Sequence, residues 1–118
     1  MFFTLSRDQL KKLIDAKAKY ILIDLRRDDE VVYGMIPTAK RIPMEELDLA
    51  LGMDADAFRK KYGFPKFKKE DKVIFYCHSG GRSSIATAYA RKQGYRNALN
   101  FAGSSNSWAE IDAKVKKY

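Results

Sequence analysis

The sequence predicts an α/β domain with a mainly parallel central sheet and helices on both faces. Two runs of apolar residues, 20–25 and 73–77, are continuous enough to form buried parallel strands. Segments with apolar residues at helical spacing alternate with these runs, and such alternation is typical of parallel sheets. The length of 118 residues suits one domain spanning residues 1–118.

The first half of the chain divides into short, well-marked elements. Ser6 and Gln9 form a capping-box pattern ahead of a helix with Leu10, Leu13 and Ile14 on one face. After the strand 20–25, a polar break leads into a short helix that ends at 34. A connector between two prolines, 37–43, has room for a short strand, and helices are predicted over 44–51 and 54–62 with a glycine after each.

The second half starts with a lysine-rich surface loop, 64–71, before the strand 73–77. A helix is predicted over 83–93 and closed by a glycine, followed by a short strand over 97–101. Ser107 is predicted to cap the last helix. The apolar residues assigned to the inner faces of these two helices are Ile85, Ala86, Ala88 and Tyr89, and then Trp108, Ile111 and Val115.

Composition excludes several classes of function. One cysteine excludes an intramolecular disulfide, and one histidine, His78, leaves no set of zinc ligands, so neither a metal nor a cofactor is predicted. The formal net charge of +8 comes from scattered basic residues without a nucleic-acid-binding motif. We therefore expect a solvated basic surface that attracts small anionic substrates, and no nucleic-acid partner.

The sequence also bears on location and assembly. No apolar stretch reaches the roughly 20 residues that a membrane-spanning helix needs, so no membrane partner is expected. The first five residues, Met1–Leu5, lack the basic start and apolar length of a secretion signal. The expected location is the cytoplasm, with mitochondria as the alternative if a transit peptide precedes this sequence. We expect a monomer or a weak dimer.

The cysteine lies in the most informative segment of the chain. Cys77 ends a predicted strand, and Gly80, Gly81 and Arg82 follow it before the helix predicted from Ser83. A strand that ends in cysteine, turns through glycines and enters a helix directs N–H groups and a helix N-terminus at the sulfur. These groups favour a thiolate, whereas the pKa of a free thiol is about 8.5. A small buried core cysteine is the alternative, and the glycines and arginine disfavour it.

Four blocks in order resemble the rhodanese family of single-domain sulfurtransferases, over nearly the whole chain. The blocks are 21–26 with Glu30, 34–39 with 42–43, 77–83, and 94–95 with Gly103 and Trp108. The chain is particularly similar to the small eukaryotic thiosulfate sulfurtransferase-like members, some of them heat-shock-associated. Three positions depart from the family pattern, and we expect them to affect the scaffold more than the chemistry: Met35 replaces His, Thr38 replaces Gly and Ser104 replaces Gly.

The resemblance implies a rhodanese-like three-layer fold and a covalent mechanism. The Cys77 thiolate attacks the outer sulfur of a small anionic donor such as thiosulfate, and a persulfide forms as sulfite leaves. An acceptor, which is cyanide, a thiol or a protein, then removes the sulfur. The backbone N–H groups expected to hold this sulfur belong to His78, Ser79, Gly80, Gly81 and Ser83.

Arg82 is assigned as a catalytic residue together with Cys77, and three further charged residues are assigned to support the loop. Arg82 either pairs with the incoming anion or braces the loop against Asp24 or Glu30, and the sequence leaves both roles open. Arg26 is placed with these two carboxylates as a supporting residue. The His78 side chain is not assigned as a general base, because adjacent residues in a loop usually point apart. Trp108 is assigned to the core.

Two other functions compete with sulfur transfer. Cell-cycle dual-specificity phosphatases have a catalytic domain that resembles rhodanese, but they need five residues between Cys and Arg to enclose a phosphate. Here four residues separate Cys77 from Arg82, and position 83, where the five-residue spacing would place the Arg, is Ser. The other alternative is a non-catalytic interaction module, which the retained cysteine disfavours.

Overall fold

Five parallel strands form one sheet in the computed structural model, which describes residues 3–118. Met1 and Phe2 lie outside the described residues, so the structure describes only residues 3–5 of the segment Met1–Leu5. The strands are β1 (Thr4–Leu5), β2 (Ile21–Asp24), β3 (Lys40–Arg41), β4 (Val73–Tyr76) and β5 (Ala98–Phe101), in the spatial order β1–β5–β4–β2–β3. None of the helices in residues 3–118 has the length and apolarity to cross a membrane.

The two apolar runs found in the sequence lie side by side near the middle of this sheet. Ile21 pairs with Val73 and Asp24 pairs with Tyr76, so β2 and β4 are in register along their whole length. All four residues of β4 are buried, as expected for a strand covered on both faces. Strand β1 was not predicted, because two residues carry no periodic pattern.

Six α-helices accompany the sheet in the described residues. They are α1 (Arg7–Asp15), α2 (Asp28–Val31), α3 (Leu47–Gly52), α4 (Ala55–Tyr62), α5 (Gly81–Lys92) and α6 (Ser104–Trp108), with a 3₁₀ turn at Met44–Glu46. The predicted capping box of α1 is present, since the Ser6 hydroxyl accepts the Gln9 N–H and the Gln9 side chain accepts the Ser6 N–H. Asp54 caps α4 in the predicted way.

Two apolar clusters, one on each face of the sheet, make the three layers. One cluster joins β2 and β4 to helices α3, α4 and α5, with Phe58 and Phe75 among its fully buried members. The other joins the opposite face to α1 and α6 and includes Leu10, Tyr76 and Trp108. The predicted fold class and the core position of Trp108 are confirmed.

Three details of the helices differ from the prediction. The last helix begins at Ser104, so Ser107 lies inside it and does not cap it, while Ile111 and Val115 lie beyond its end. Ile85 and Ala88 point to solvent instead of inward, because the apolar positions of α5 do not form a single face. Helix α5 begins two residues earlier than predicted, at Gly81, with Gly80 as its N-cap.

The topology brings two predicted site segments to one edge of the sheet. In a parallel sheet the carboxyl ends of adjacent strands lie together, and ligands bind beyond them. Cys77 directly follows β4, and the segment from Leu25 to Glu30 follows the neighbouring β2. The Leu25 N–H donates to the Tyr76 carbonyl, which extends the pairing of these strands to the start of the loop.

Candidate functional site

A four-residue loop, Cys77 to Gly80, connects β4 to α5. Gly80 has φ 101°, and a Cβ atom there would lie 2.4 Å from the Ala102 carbonyl oxygen, so only glycine fits. Gly81 is already helical and has open space around the position of a Cβ. The prediction that both glycines are needed for the turn is therefore wrong for Gly81, because Gly80 alone makes it.

The Cys77 sulfur is surrounded by hydrogen-bond donors from the start of α5. The Gly80 N–H donates to Sγ at an N–S distance of 3.2 Å, and the Ser83 hydroxyl lies 3.5 Å from it. Burial raises the pKa of the Cys77 thiol, but hydrogen bonds outweigh it, chiefly those from the hydroxyl and N–H of Ser83 and from the Gly80 N–H, so the pKa lies below its ordinary value. The surroundings of Sγ therefore make the thiol easier to ionise, which is the direction that the sequence predicts.

Ser83 reaches the sulfur from a different position than predicted. It is the third residue of α5 and not its N-cap, and its hydroxyl lies 3.2 Å from the Gly80 carbonyl oxygen as well as 3.5 Å from Sγ, so these two acceptors share its single hydrogen. Among the described residues, His78, Ser79 and Gly81 make no hydrogen bond to Sγ. Of the five residues predicted to supply backbone N–H groups, the structure brings Gly80 and Ser83 to the sulfur.

Cys77 is as buried as an ordinary core cysteine, but its neighbours differ from those of a core residue. Its exposed fraction is 1%, but it belongs to neither of the two apolar clusters of the described residues. Ser79 and Gly81, on either side of Gly80, are exposed. The loop therefore reaches the surface at Ser79, while Cys77 and Gly80 are buried.

Arg82 forms a two-point ion pair with Glu30. Its Nη1 and Nη2 atoms donate to the two carboxylate oxygens of Glu30 at 2.6 and 2.9 Å. The hydrogen bond from Arg82 lowers the pKa of Glu30 to about 2, and the same bond raises the pKa of Arg82. Of the two carboxylates proposed to brace the loop, Glu30 is the partner of Arg82.

Asp24 pairs with Arg26 instead, wholly inside the protein. The carboxylate of Asp24 accepts the Nε and Nη2 hydrogens of Arg26 and the Tyr76 hydroxyl, the last at 2.6 Å. Burial lowers the pKa of Arg26, but the hydrogen bond and charge of Asp24 outweigh this, and the pKa is raised overall. Within residues 3–118 the side chains of Asp24, Arg26 and Tyr76 make no hydrogen bond to Cys77 Sγ, so they support the end of β2.

Tyr118 is a residue of the site that the sequence reasoning missed. Its ring stacks on His78 with ring centres 4.1 Å apart, and on Tyr33 at 4.6 Å. Its hydroxyl donates to Glu30 and accepts from Arg26. No local pattern predicts such contacts, because the partners are far apart in the sequence.

Ser104 is the second missed residue. Its hydroxyl accepts the Cys77 N–H at 3.1 Å and lies 3.8 Å from Sγ. The sequence does contain a signal, since Ser104 stands where the resemblance has glycine. We assigned that departure to the scaffold, whereas the structure places it directly at the cysteine.

Two other kinds of site in the described residues would compete with the Cys77 loop: a metal site and a groove away from Cys77. Within residues 3–118, no cluster of three or more His, Cys, Asp and Glu side chains is placed to hold a metal ion. A groove of about 570 Å³ lies at the opposite end of the sheet, where Ile21 and Asp71 line it together with Phe64 and Phe67. It includes no residue of the Cys77 loop.

Comparison with known proteins agrees with this arrangement. Residues 6–111 match the Rhodanese-like domain family. The chain belongs to the rhodanese-like domain family. This rhodanese-like chain is 40% identical over 111 residues to a human thiosulfate:glutathione sulfurtransferase, covering 93% of this chain and 96% of that one.

A second relative and a solved structure extend the comparison. The chain is 40% identical over 96 residues to a putative mitochondrial thiosulfate sulfurtransferase of Schizosaccharomyces pombe, covering 81% of this chain and 66% of that one. The structure of a human single-domain sulfurtransferase, TSTD1, superimposes with a TM-score of 0.88 at 38% identity, covering 93% of this chain and 97% of that one. The predicted family and fold are confirmed, and the names of these relatives agree with the predicted sulfurtransferase class.

Proposed function

We propose that this rhodanese-like chain is a sulfurtransferase that carries one sulfane sulfur on Cys77. The observation that supports this most directly is the sulfur environment. Sγ lies in a turn of four residues, with the Gly80 N–H at 3.2 Å and the 12-residue helix α5 starting directly after it. Backbone N–H groups and a helix N-terminus stabilise a sulfur anion without any metal or cofactor.

The proposed reaction has two displacement steps. The Cys77 thiolate attacks the outer sulfur of thiosulfate, an S–S bond forms to Cys77, and the S–S bond of thiosulfate breaks as sulfite leaves with its electron pair. An acceptor thiolate then attacks the outer sulfur of the Cys77 persulfide. The acceptor leaves as a persulfide, and the Cys77 thiolate is restored. Both steps are attacks on the same sulfur atom, which is the one that is transferred.

The loop is suited to the anion formed between these steps. The outer sulfur of the persulfide lies one bond beyond Sγ. We propose that N–H groups of His78, Ser79 and Gly81, which make no hydrogen bond to Sγ, bind this outer sulfur. A hydrogen bond to a charged group contributes about 1.5–3 kcal/mol, so two or three of them hold the persulfide firmly.

The choice of donor and acceptor rests on charge and on the relatives. The net charge of +8 and the partly exposed Arg82 favour a small anionic donor such as thiosulfate. The human relative is named for transfer from thiosulfate to glutathione. We propose a low-molecular-weight thiol of this type as the acceptor, with a protein thiol or cyanide using the same step.

Steady-state kinetics tests the proposed function. Initial rates measured while both thiosulfate and a thiol acceptor are varied should give the parallel double-reciprocal lines of a two-step covalent mechanism. The Cys77→Ala variant should lose all transfer while its circular dichroism spectrum stays that of the wild type. A wild-type protein that transfers no sulfur from thiosulfate, mercaptopyruvate or a persulfide donor contradicts the proposal and favours the interaction module.

The phosphatase alternative is tested with the same protein. Four residues between Cys77 and Arg82 make a smaller loop than phosphate binding needs, and Arg82 is already paired with Glu30. We expect no turnover of an aryl phosphate or a phosphotyrosine peptide. Turnover that disappears in Cys77→Ser would replace the sulfurtransferase proposal with the phosphatase.

We further propose that residues 1–118 act as one domain, as a monomer or a weak dimer, in the cytoplasm. The name of the S. pombe relative places that protein in mitochondria, which is the alternative location. Sedimentation equilibrium at several concentrations measures the assembly state. Fluorescence microscopy of the tagged natural protein distinguishes the two locations.

A further inference from the structure

Ser104 has an unusual backbone conformation next to the reactive cysteine. Its φ is 56°, in the left-handed region that residues other than glycine avoid, and it is fully buried at the start of α6. A residue is kept in such a conformation only when its surroundings hold it there, and such residues cluster at functional sites. The contacts of its side chain show what holds it.

The Ser104 hydroxyl is held between two backbone groups. It donates its single hydrogen to the Phe101 carbonyl at 2.9 Å and accepts the Cys77 N–H at 3.1 Å. The Phe101 oxygen is a much closer acceptor than the Cys77 sulfur, which lies 3.8 Å from the hydroxyl. Ser104 therefore acts on the backbone of Cys77 more than on its sulfur.

The same helix also holds the other side of the Cys77 peptide. The Ser105 N–H donates to the Cys77 carbonyl at 3.0 Å, and the Asn106 N–H donates to the His78 carbonyl at 3.0 Å. Both polar groups of the Cys77 backbone are thus bonded to the first two residues of α6. The direction of the Cα–Cβ bond of Cys77, and so the place of Sγ, depends on this attachment.

We propose that Ser104 is a positioning residue that holds the Cys77 sulfur within hydrogen-bond reach of Gly80 and Ser83. The Gly80 N–H lies 3.2 Å from Sγ and the Ser83 hydroxyl lies 3.5 Å from it, so a small rotation of Cys77 would lengthen both contacts. Loss of the Ser104 hydroxyl frees the Cys77 N–H and permits that rotation. The thiolate then loses part of its stabilisation.

This inference rests on the proposed function only in taking Cys77 as the nucleophile. Its test measures the thiol itself and needs no sulfur transfer. If the sulfur-transfer assay fails, the alkylation result for Ser104 can still be interpreted. If the alkylation result contradicts the role of Ser104, the sulfur-transfer assay can still be interpreted.

The test compares two variants that both lack the hydroxyl. Ser104→Ala keeps a Cβ in the left-handed conformation, whereas Ser104→Gly removes that conflict. The rate of Cys77 alkylation by iodoacetamide is measured from pH 5 to pH 10, and thermal melting is measured beside it. Ser107→Ala is the control, because it removes a hydroxyl from the same helix that contacts Arg7 and not Cys77.

In both Ser104 variants the midpoint of the alkylation profile should rise by about 0.5–1 pH unit, and the rate at pH 7 should fall by about three- to tenfold. The rates should approach that of the wild type at pH 10, where every thiol is ionised. Ser104→Gly should melt at a higher temperature than Ser104→Ala, although both show the same shift of the profile. The Ser107→Ala profile should match the wild type.

Two results would overturn the proposal. One is a lower melting temperature in both variants with an unchanged alkylation profile, which would make Ser104 a structural residue alone. The other is a profile that shifts in Ser104→Ala and not in Ser104→Gly, which would assign the effect to the Cβ and not to the hydroxyl. If Ser104→Ala does not fold, the profile of Ser104→Gly alone decides.

Discussion

Two arginine–carboxylate pairs stand near the same edge of the sheet and differ in burial. Arg26 with Asp24 and Arg82 with Glu30 both make two parallel hydrogen bonds. The exposed fractions of the side chains are 0% and 0% in the first pair, but 30% and 7% in the second. The same kind of ion pair is therefore fully buried in one place and partly open to solvent in the other.

The surroundings of the two pairs explain the difference. Arg26 also donates to the carbonyls of Gly34 and Glu30 and to the Tyr118 hydroxyl, so its guanidinium is fully surrounded by acceptors. Arg82 has only Glu30 as a hydrogen-bond partner among residues 3–118, and its Nε makes no hydrogen bond there. The first pair fixes the structure, while the second leaves a cation partly open beside the Cys77 loop.

Breaking the buried pair should have the largest effect on stability. Asp24→Asn leaves the Arg26 charge buried without its partner, and we expect a loss of about 3–5 kcal/mol in the free energy of unfolding. Chemical denaturation measures this loss. Asp15→Asn is the control, because it removes the carboxylate of the exposed pair with Lys11 and should cost at most about 0.5 kcal/mol. Similar losses for the two variants would show that the buried pair stabilises the fold no more than the exposed pair does.

Removing Arg82 should reduce activity far more than stability. If its open side meets the anionic donor, Arg82→Ala loses a charged hydrogen bond of about 1.5–3 kcal/mol, or about 10- to 150-fold in kcat/KM for thiosulfate. Arg7→Ala is the matched control, since Arg7 is equally exposed and pairs with Glu110 at 2.9 Å. Donor kinetics in Arg82→Ala equal to those of the wild type would show that Arg82 only braces the loop.

The pair of Arg82 and Glu30 should also make the stability of the protein depend on pH. The pKa of Glu30 is lowered from 4.5 to about 2, so its stabilisation is complete above pH 4.5 and is lost as the pH falls toward 2. In Glu30→Gln this contribution is absent, so we expect a loss of about 1 kcal/mol at pH 7 and a flatter stability curve in acid.

Thermal melting at a series of pH values measures this curve for the wild type and Glu30→Gln. The control is Glu45→Gln, which makes the same change at an exposed glutamate. Wild-type and Glu30→Gln curves that fall in parallel below pH 4.5 would contradict the assignment to Glu30.

Tyr118 connects the two pairs, and its removal should have the smallest effect. Its hydroxyl lies 3.2 Å from Arg26 Nη1 and 3.1 Å from Glu30 Oε2, while its ring stacks on His78. Tyr118→Phe keeps the stacking and loses only the hydroxyl, for an expected cost of about 0.5 kcal/mol, the lower end for a hydrogen bond, because Tyr118 is exposed. A double-mutant cycle with Glu30→Gln should show coupling between the two sites. Strictly additive effects would mean that the hydroxyl does not join the pairs.

The sequence predicted the parts of this molecule that depend on local patterns. The strands β2 and β4 were evident because their apolar runs are continuous, and the Ser6 box and Asp54 marked helix starts. Strand β1 was missed because two residues have no pattern. The last helix was misplaced because its start depends on the contact of Ser104 with Cys77, 27 residues away.

The sequence predicted the residues of the candidate site that local spacing or the family resemblance marks, and missed those that only the fold brings together. Cys77, Arg82 and Gly80 follow from the spacing of one short segment, and the resemblance supplied Glu30. The choice of Glu30 over Asp24 as the partner of Arg82 could not be made, because it depends on the fold placing Glu30 of α2, and not Asp24 at the end of β2, beside Arg82. Tyr118 contributes through stacking that only the folded chain brings about.

The central claim is that Cys77 carries a sulfur atom between donor and acceptor. Intact-protein and peptide mass spectrometry after treatment with thiosulfate tests it directly. We predict an increase of about 32 Da on the peptide that contains Cys77, which disappears when a thiol or cyanide is added and never forms in Cys77→Ala. An unchanged mass with thiosulfate and with persulfide donors alike, or an adduct that no acceptor removes, would contradict the account.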